Sequence, residues 1–491
     1  MKKLLNKQFY KNYGLYLLVS LLLFVPVFQH LGSLPIRLWD ESRLAINAYE
    51  MYHHENYLVP TFDGEPDMWN TKPPLMIWFQ VLSMKLLGIS EISVRLPSAL
   101  AAFFTCIFLL FFSVRYVKSF WLGLICALAL VTTPAFLNVH AALTGDYDAL
   151  FTLFITLSCF SFFSFLENSK NKYLYLFFLT FTLAFLTKCS AALMLLPGLF
   201  IYAIIEKKLI ILFKNKHLYI GILGFFILCG GYFLLRETYN PGYLDAAWKN
   251  DFGGRFFDAV EEHQQGFWFY IIHRFNIWLL FIPFGIIAGL LNKDQRIKQL
   301  TLFTTINAVT FFLVISSAKT KLSWYALPLC PLIAILAGIF IYFVFSLLKE
   351  NKKITHNLPF KTTPYVLMFL VFFMPYILIF KKTYQQKENS EEFYQTSYYL
   401  RDILNNKREG ACFTILYDAY PPHIMFYVNL LNDKGKNISL RNNSEVQTGE
   451  TILTAQNPTK EFLETHYNYE VIDEFKNIKV YKILEEKQLQ E

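Results

Sequence analysis

The chain has 491 residues, 55% hydrophobic and 18% aromatic, with 51 Phe, 30 Tyr and a mean hydropathy of +0.35. Several apolar runs reach the roughly 18 residues needed to cross a bilayer, which excludes a soluble enzyme and predicts a polytopic α-helical membrane protein. The net charge of +8 lies in short loops between those runs, as the positive-inside rule requires, so nucleic acid is not an expected partner.

In chain order, Lys2, Lys3, Lys7 and Lys11 precede the apolar stretch Gly14 to Leu31, which has no small-residue cleavage site and reads as a first spanning helix. Apolar length predicts about eleven spans, near residues 14–31, 96–114, 120–137, 149–166, 173–187, 190–205, 218–235, 267–291, 299–316, 322–348 and 363–380. With the N-terminus inside, the inside segments hold 19 Lys and Arg, against 11 in the much longer outside connections. The stretch "PLMIWFQVLSMKLLG", Pro74 to Gly88, is apolar but short and carries Gln80 and Lys85. Counting it as a span would invert every later loop, so it is predicted as an amphipathic helix at the outer surface. Residues 1–381 then form the membrane domain, 32–95 its first outer loop, and 382–491 an outer α/β domain. That last part alternates the strand-like runs "ACFTILY", "TILTA" and "NIKVYKIL" with helical ones. The seven cysteines show no metal or redox spacing and read as packed small hydrophobes.

Ionisable residues gather in the predicted outer loops, where their desolvation cost marks a functional hypothesis. "RLWDESRLAINAYEM" offers Asp40 and Glu41 at the start of a short helix carrying Arg43, where Asp40 would equally serve as an N-cap. "LTGDYDALFTLF" places Asp146 and Asp148 at a helix entrance, where the helix dipole alone would favour them. "FGGRFFDAVEEHQQGFWFY" carries Arg255, Glu262 and His263, and "SSAKTKLSWYALP" carries Lys321 close to Tyr325. Carboxylates able to deprotonate a hydroxyl, beside cations able to hold a phosphate, suit transfer of a group from a phosphate-bearing lipid.

These residues resemble a known family. "RLWDESRLAINAYEM", "LVPTFDGEPDMWNTKPPL" and "GISEISVRLPSAL" look like the first outer loop of the GT-C glycosyltransferases of the aminoarabinose-transferase and protein O-mannosyltransferase type, families 83 and 39. "TGDYDALFTLF", "FLTKCSAALMLLPGL", "EHQQGFWFY" and "KTKLSWYALPLCPL" continue the match in order, over roughly residues 10–345. The resemblance implies a GT-C fold and transfer of a sugar from a polyprenyl-phosphate carrier to an acceptor hydroxyl or phosphate outside the cytoplasm. By position it implies that Asp40 engages the acceptor, beside Glu41, and that Asp148 is a second-loop carboxylate with Asp146 as partner. It also implies that Lys72 contacts the carrier phosphate. Its Pro-Pro step fixes φ and starts a helix at a set place.

Arg255 and Lys321 with Tyr325 are expected to support that phosphate. Relatives often carry glutamate at the position of Thr71, so no metal is expected through that residue. Glu262 and His263 are the other candidates for a divalent cation. The branch of the match points to a bacterial inner membrane, an undecaprenyl carrier, and lipid A, an envelope glycan or a protein as acceptor. The alternative reading is a flippase for lipid-linked sugars. Against it, the charges cluster at one face and no inverted repeat is visible.

Overall fold

The computed structural model describes residues 2–29, 31–252, 263–273, 276–350, 362–410, 412–442 and 446–487. Its first eight long helices are α1 (Lys2–Phe28), α2 (Asp40–His54), α3 (Leu75–Leu87), α4 (Glu91–Tyr116), α5 (Phe120–Val131), α6 (Tyr147–Asn168), α7 (Asn171–Lys188) and α8 (Leu196–Ile205). Further helical segments cover Lys216–Tyr239, Ile277–Leu290, Gln295–Ser317, Leu329–Glu350 and Thr363–Ser390. Among the described residues, seven helical segments are long and apolar enough to cross a membrane, and four shorter apolar helices accompany them.

One of the seven, Asn171–Ile205, is two passes. The helix breaks at Cys189, whose φ of 48° lies in the left-handed region. Lys188 at the end of α7 pairs with Asp148 in the first turn of α6. Lys208, just past α8, donates to the carbonyl of Leu166 near the other end of α6 (2.7 Å). So α7 and α8 run in opposite senses beside α6, as the predicted spans 173–187 and 190–205 require.

Two predicted spans are shorter than expected. The run 120–137 stays helical only to Val131, where Thr132 and Thr133 donate to the carbonyls of Leu128 (2.6 Å) and Ala129 (2.8 Å) and Pro134 follows. The run 267–291 divides into Phe269–His273 and Ile277–Leu290, because the Asn276 side chain accepts from the Trp278 amide (2.8 Å) and caps a fresh helix.

The helix α3 has the two faces expected of it. Gln80 turns inwards to the carbonyls of Val94 (3.1 Å) and Gly145 (2.9 Å), while Phe79, Leu82, Leu86 and Leu87 stay exposed. Its 13 residues span about 20 Å, short of the ~30 Å hydrocarbon core.

In the first loop, β1 (Thr61–Phe62) and β2 (Glu65–Pro66) form a small hairpin. The C-terminal unit is a five-stranded sheet in the order β4-β3-β5-β7-β6. In it, β3 (Cys412–Leu416) lies parallel to β4 (Asn437–Arg441) and β5 (Thr451–Thr454). The last strand, β7 (Ile478–Glu486), runs antiparallel to β5 and to β6 (Tyr467–Phe475). The strands β4 and β6 add to the three expected from sequence; β6 is largely exposed along its length and so lacks an apolar alternation to read. This unit docks on the first loop. Tyr427 accepts from the Ile36 amide (2.9 Å) and donates to Glu91 (2.8 Å), and Arg401 pairs with Glu91 (2.9 Å). Six cysteines are buried, Cys412 is exposed, and all seven are free thiols.

Candidate active site at the loop end

The first loop, the starts of α4 and α6 and the end of the helix Lys216–Tyr239 meet at one end of the bundle. Ser98 donates to the carbonyl of Asp146 (2.9 Å), and Arg236 donates to the carbonyl of Asp67 (3.3 Å). Gly145 is wedged there: a Cβ on it would stand 2.6 Å from both Val94 Cγ1 and the Val94 carbonyl, so only glycine allows this approach. Its amide donates to Glu41 Oε1 (2.9 Å) and its carbonyl accepts from Gln80 (2.9 Å). The backbone immediately before Asp146 is therefore fixed from both sides.

A cavity of about 120 Å³ opens at this end. Four carboxylates line it, Asp40, Asp146, Asp148 and Asp251, together with three cations, Arg43, Lys72 and Lys188. Tyr147, Trp324 and Tyr325 supply aromatic walls. Asp40 is the first residue of α2 rather than its cap, a position held by Trp39 at φ 75°. Its side chain is 56% exposed, with Oδ2 at 3.5 Å from His140 Nδ1. Asp148, in the first turn of α6, pairs with Lys188, whose ammonium also lies 4.9 Å from the centre of the Tyr325 ring.

The stretch "NTKPPL" is held at every residue before the helix. Asn70 accepts from the Tyr147 hydroxyl (2.9 Å) and donates to Asn47 (2.9 Å). Thr71 donates to Asp251, and its carbonyl accepts from Tyr243 (2.7 Å). Lys72 faces Asp251 at 3.3 Å and the Tyr147 ring at 5.5 Å. The helix α3 begins directly after Pro74. A cation is thus presented to the cavity from a backbone that cannot retreat.

Arg43 forms a fork onto Asp67 (2.8 and 2.7 Å) and reaches Tyr420 of the C-terminal unit (2.9 Å). Burial alone would raise the Asp67 carboxyl, but the Arg43 guanidinium and the surrounding amide donors hold it below the ordinary carboxylate range.

Several expected site residues stand elsewhere. Glu41 is 1% exposed and bonded to Arg95, the Gly145 amide and the Arg37 amide, so its oxygens are engaged away from the cavity wall. Lys321 is also buried: its ammonium donates to the carbonyls of Gln265 (3.0 Å) and Ala318, tying two chain segments instead of lining the cavity. The His263 carbonyl accepts from the Lys321 amide (3.0 Å) in the same tie. Arg255 and Glu262 lie outside the described residues. Conversely, Lys188, Asp251 and His140 belong to the site and carried no role in the sequence. Lys188 had one signal, a lysine directly between two apolar passes.

A family profile described as "Dolichyl-phosphate-mannose-protein mannosyltransferase" matches residues 71–232, about a third of the chain. An uncharacterised protein of Aquifex aeolicus is 26% identical over 330 residues, covering 66% of this chain and 64% of its own length. The undecaprenyl phosphate-alpha-4-amino-4-deoxy-L-arabinose arabinosyl transferase of Aeromonas salmonicida is 28% identical, covering 64% of this chain and 58% of its own length. The chain thus spans less than two thirds of these relatives. The crystal structure of ArnT from Cupriavidus metallidurans bound to undecaprenyl phosphate superposes over 95% of this chain and 98% of that one, with a TM-score of 0.69 at 15% identity. The chain has the GT-C fold. Its sequence groups this GT-C protein with the aminoarabinose-transferase and protein-mannosyltransferase type. It is a membrane-embedded, multi-pass chain carrying a small C-terminal sheet domain.

Proposed function

We propose that this GT-C protein is a glycosyltransferase that moves a sugar from a polyprenyl-phosphate donor, undecaprenyl phosphate in bacteria, to an acceptor on the extracytoplasmic face. The observation that carries the reading is a single cavity holding Asp40 on one wall with Lys72 and Lys188 on others. The names of the matched relatives support the donor class. The positive-inside count supports the side of the membrane, and a bacterial inner membrane follows from the donor.

The chemistry balances with these groups. The bond from the anomeric carbon to the phosphate oxygen breaks as a bond from that carbon to the acceptor oxygen forms, on the opposite face. Polyprenyl phosphate leaves as an anion, stabilised by the ammonium groups of Lys72 and Lys188, with the Tyr325 ring beside Lys188. Asp40 takes the proton of an acceptor hydroxyl. Asp148 holds Lys188 in place. Lipid A, another envelope glycan and a protein are the acceptor classes. Tyr420 and Tyr394 place the C-terminal domain at the rim of the first loop, where an acceptor would approach.

Mass spectrometry of lipid A, envelope polysaccharide and secreted proteins from a deletion strain tests this. The strain is complemented with wild type or with Asp40→Asn. Loss of one sugar mass, restored by wild type alone, is the expected result. Unchanged glycans in all three strains would favour a flippase.

A further inference from the structure

We propose a binding site for a divalent transition-metal ion, of the Mn²⁺ or Zn²⁺ class, formed by Asp40, His140 and Asp146. The three side chains come from different places: the first residue of α2, the turn after α5, and the residue preceding α6. One ligand atom from each lies within 4.8 Å of the other two.

Geometry favours ligation over plain ion pairing. His140 Nδ1 stands 3.2 Å from Asp146 Oδ2 and 3.5 Å from Asp40 Oδ2, yet it is buried and aligned with neither as a hydrogen bond. With bonds of about 2.1 Å, two ligands on one ion sit ~3.0 Å apart at a right angle and ~3.4 Å apart at a tetrahedral one. The observed separations match that spacing. Asp40 is more than half exposed and has room to close the remaining gap to Asp146.

Asp146 supplies an independent observation. It occupies the N-cap position of α6, where an aspartate ordinarily accepts from the helix amides, but its side chain caps nothing. It is 2% exposed, it lines the cavity, and its Oδ1 has no hydrogen-bond partner among the described residues. A buried carboxylate oxygen without a donor is costly. A cation would satisfy it. The surroundings also fix the ligands as an outer shell does: Thr144 accepts from the His140 amide (2.7 Å) and donates to Asp146 Oδ2 (2.6 Å). The Trp324 ring stacks on the imidazole with centres 3.7 Å apart.

One imidazole with two carboxylates suits first-row ions better than Mg²⁺, which takes oxygen ligands. Three protein ligands leave coordination positions open towards the cavity, where an acceptor oxygen would bind the ion and lose its proton more readily.

The test uses the full chain in lipid nanodiscs, stripped with EDTA and titrated with Mn²⁺ while the signal of the free ion is followed by electron paramagnetic resonance. Zn²⁺ competition and metal analysis give the stoichiometry. Wild type is expected to bind one equivalent. His140→Gln and Asp146→Asn are each expected to abolish that binding, and Thr144→Val to weaken it by about 10–100-fold. Asp251→Asn, in the same cavity but paired with Lys72, is expected to bind as wild type does. Thermal unfolding checks each variant; if Asp146→Asn fails to fold, His140→Gln decides. Absence of stoichiometric binding, or binding that survives His140→Gln, overturns the site and leaves a charged histidine between two carboxylates. No sugar donor is present in this measurement, so failure of the transferase reading and failure of the metal site are seen separately.

Discussion

Arg95 and Glu41 form a fully buried, two-pronged ion pair, with Nε to Oε1 at 2.6 Å and Nη2 to Oε2 at 3.0 Å, each side chain 1% exposed. The remaining Arg95 donors take the carbonyls of Leu31, Leu34 and Pro35 at 2.7–2.8 Å. Glu41 in turn accepts from the amides of Gly145 and Arg37. One pair therefore joins the exit of α1, the start of α2, the start of α4 and the turn before α6. It positions Asp40 and Asp146 without lining the cavity.

Removing one partner would leave a charge buried without its counter-ion, which costs about 3–5 kcal/mol. Glu41→Ala is expected to lower the thermal unfolding midpoint sharply. Donor affinity of the surviving folded protein should change little. A midpoint equal to that of wild type would remove this pair from the framework.

Asp40, by contrast, is half exposed and held by few contacts. Asp40→Asn should therefore keep its fold and lose at least about 10²-fold in kcat, the low end of general-base effects. Single-turnover transfer with a labelled donor reads this directly. Near-normal turnover would exclude a base role.

The cations act on the donor. Lys72→Met and Lys188→Met each remove a charge-assisted contact worth about 1.5–3 kcal/mol, or roughly 10–100-fold in kcat/KM. Lys188→Met carries an added penalty because Asp148 is left buried and unpaired. The double variant Lys188→Met with Asp148→Asn is expected to recover thermal stability but not activity. Equal losses in stability for the single and double variants would contradict the pairing.

The C-terminal domain carries its own pH response. Burial pushes the His423 imidazole down from 6.5 to about 4, so the folded domain holds it neutral while the unfolded chain protonates it. The unfolded state then binds more protons below pH 6.5. This stability is complete above that value and is lost progressively as pH falls towards 4, by about 3 kcal/mol for a shift of this size. Hydrogen exchange over residues 412–487 should speed up between pH 6.5 and 4. His423→Phe is expected to flatten that dependence, and an unchanged slope in the variant would assign it to other groups.

The membrane character, the order of the passes and the two-faced helix α3 were legible in the sequence, because apolar length and short basic loops respond to the bilayer locally. So was the set Asp40, Asp148 and Lys72, each standing beside a helix start. Their assembly into one cavity was not legible. Glu41 and Asp40 are adjacent in sequence, yet helix geometry turns one into the Arg95 pair and the other into the cavity. Lys188 and Asp251 read as an ordinary loop cation and an ordinary loop acid until folding brings them to Asp148 and Lys72. His140 gave no signal at all, since a lone histidine in an uncharged turn resembles any surface residue. Sequence thus determined which segments enter the membrane, since burial in lipid is decided by each segment's own composition. Only the tertiary structure decided which charges face one another, since such pairings join residues up to 180 positions apart and depend on how the helices pack.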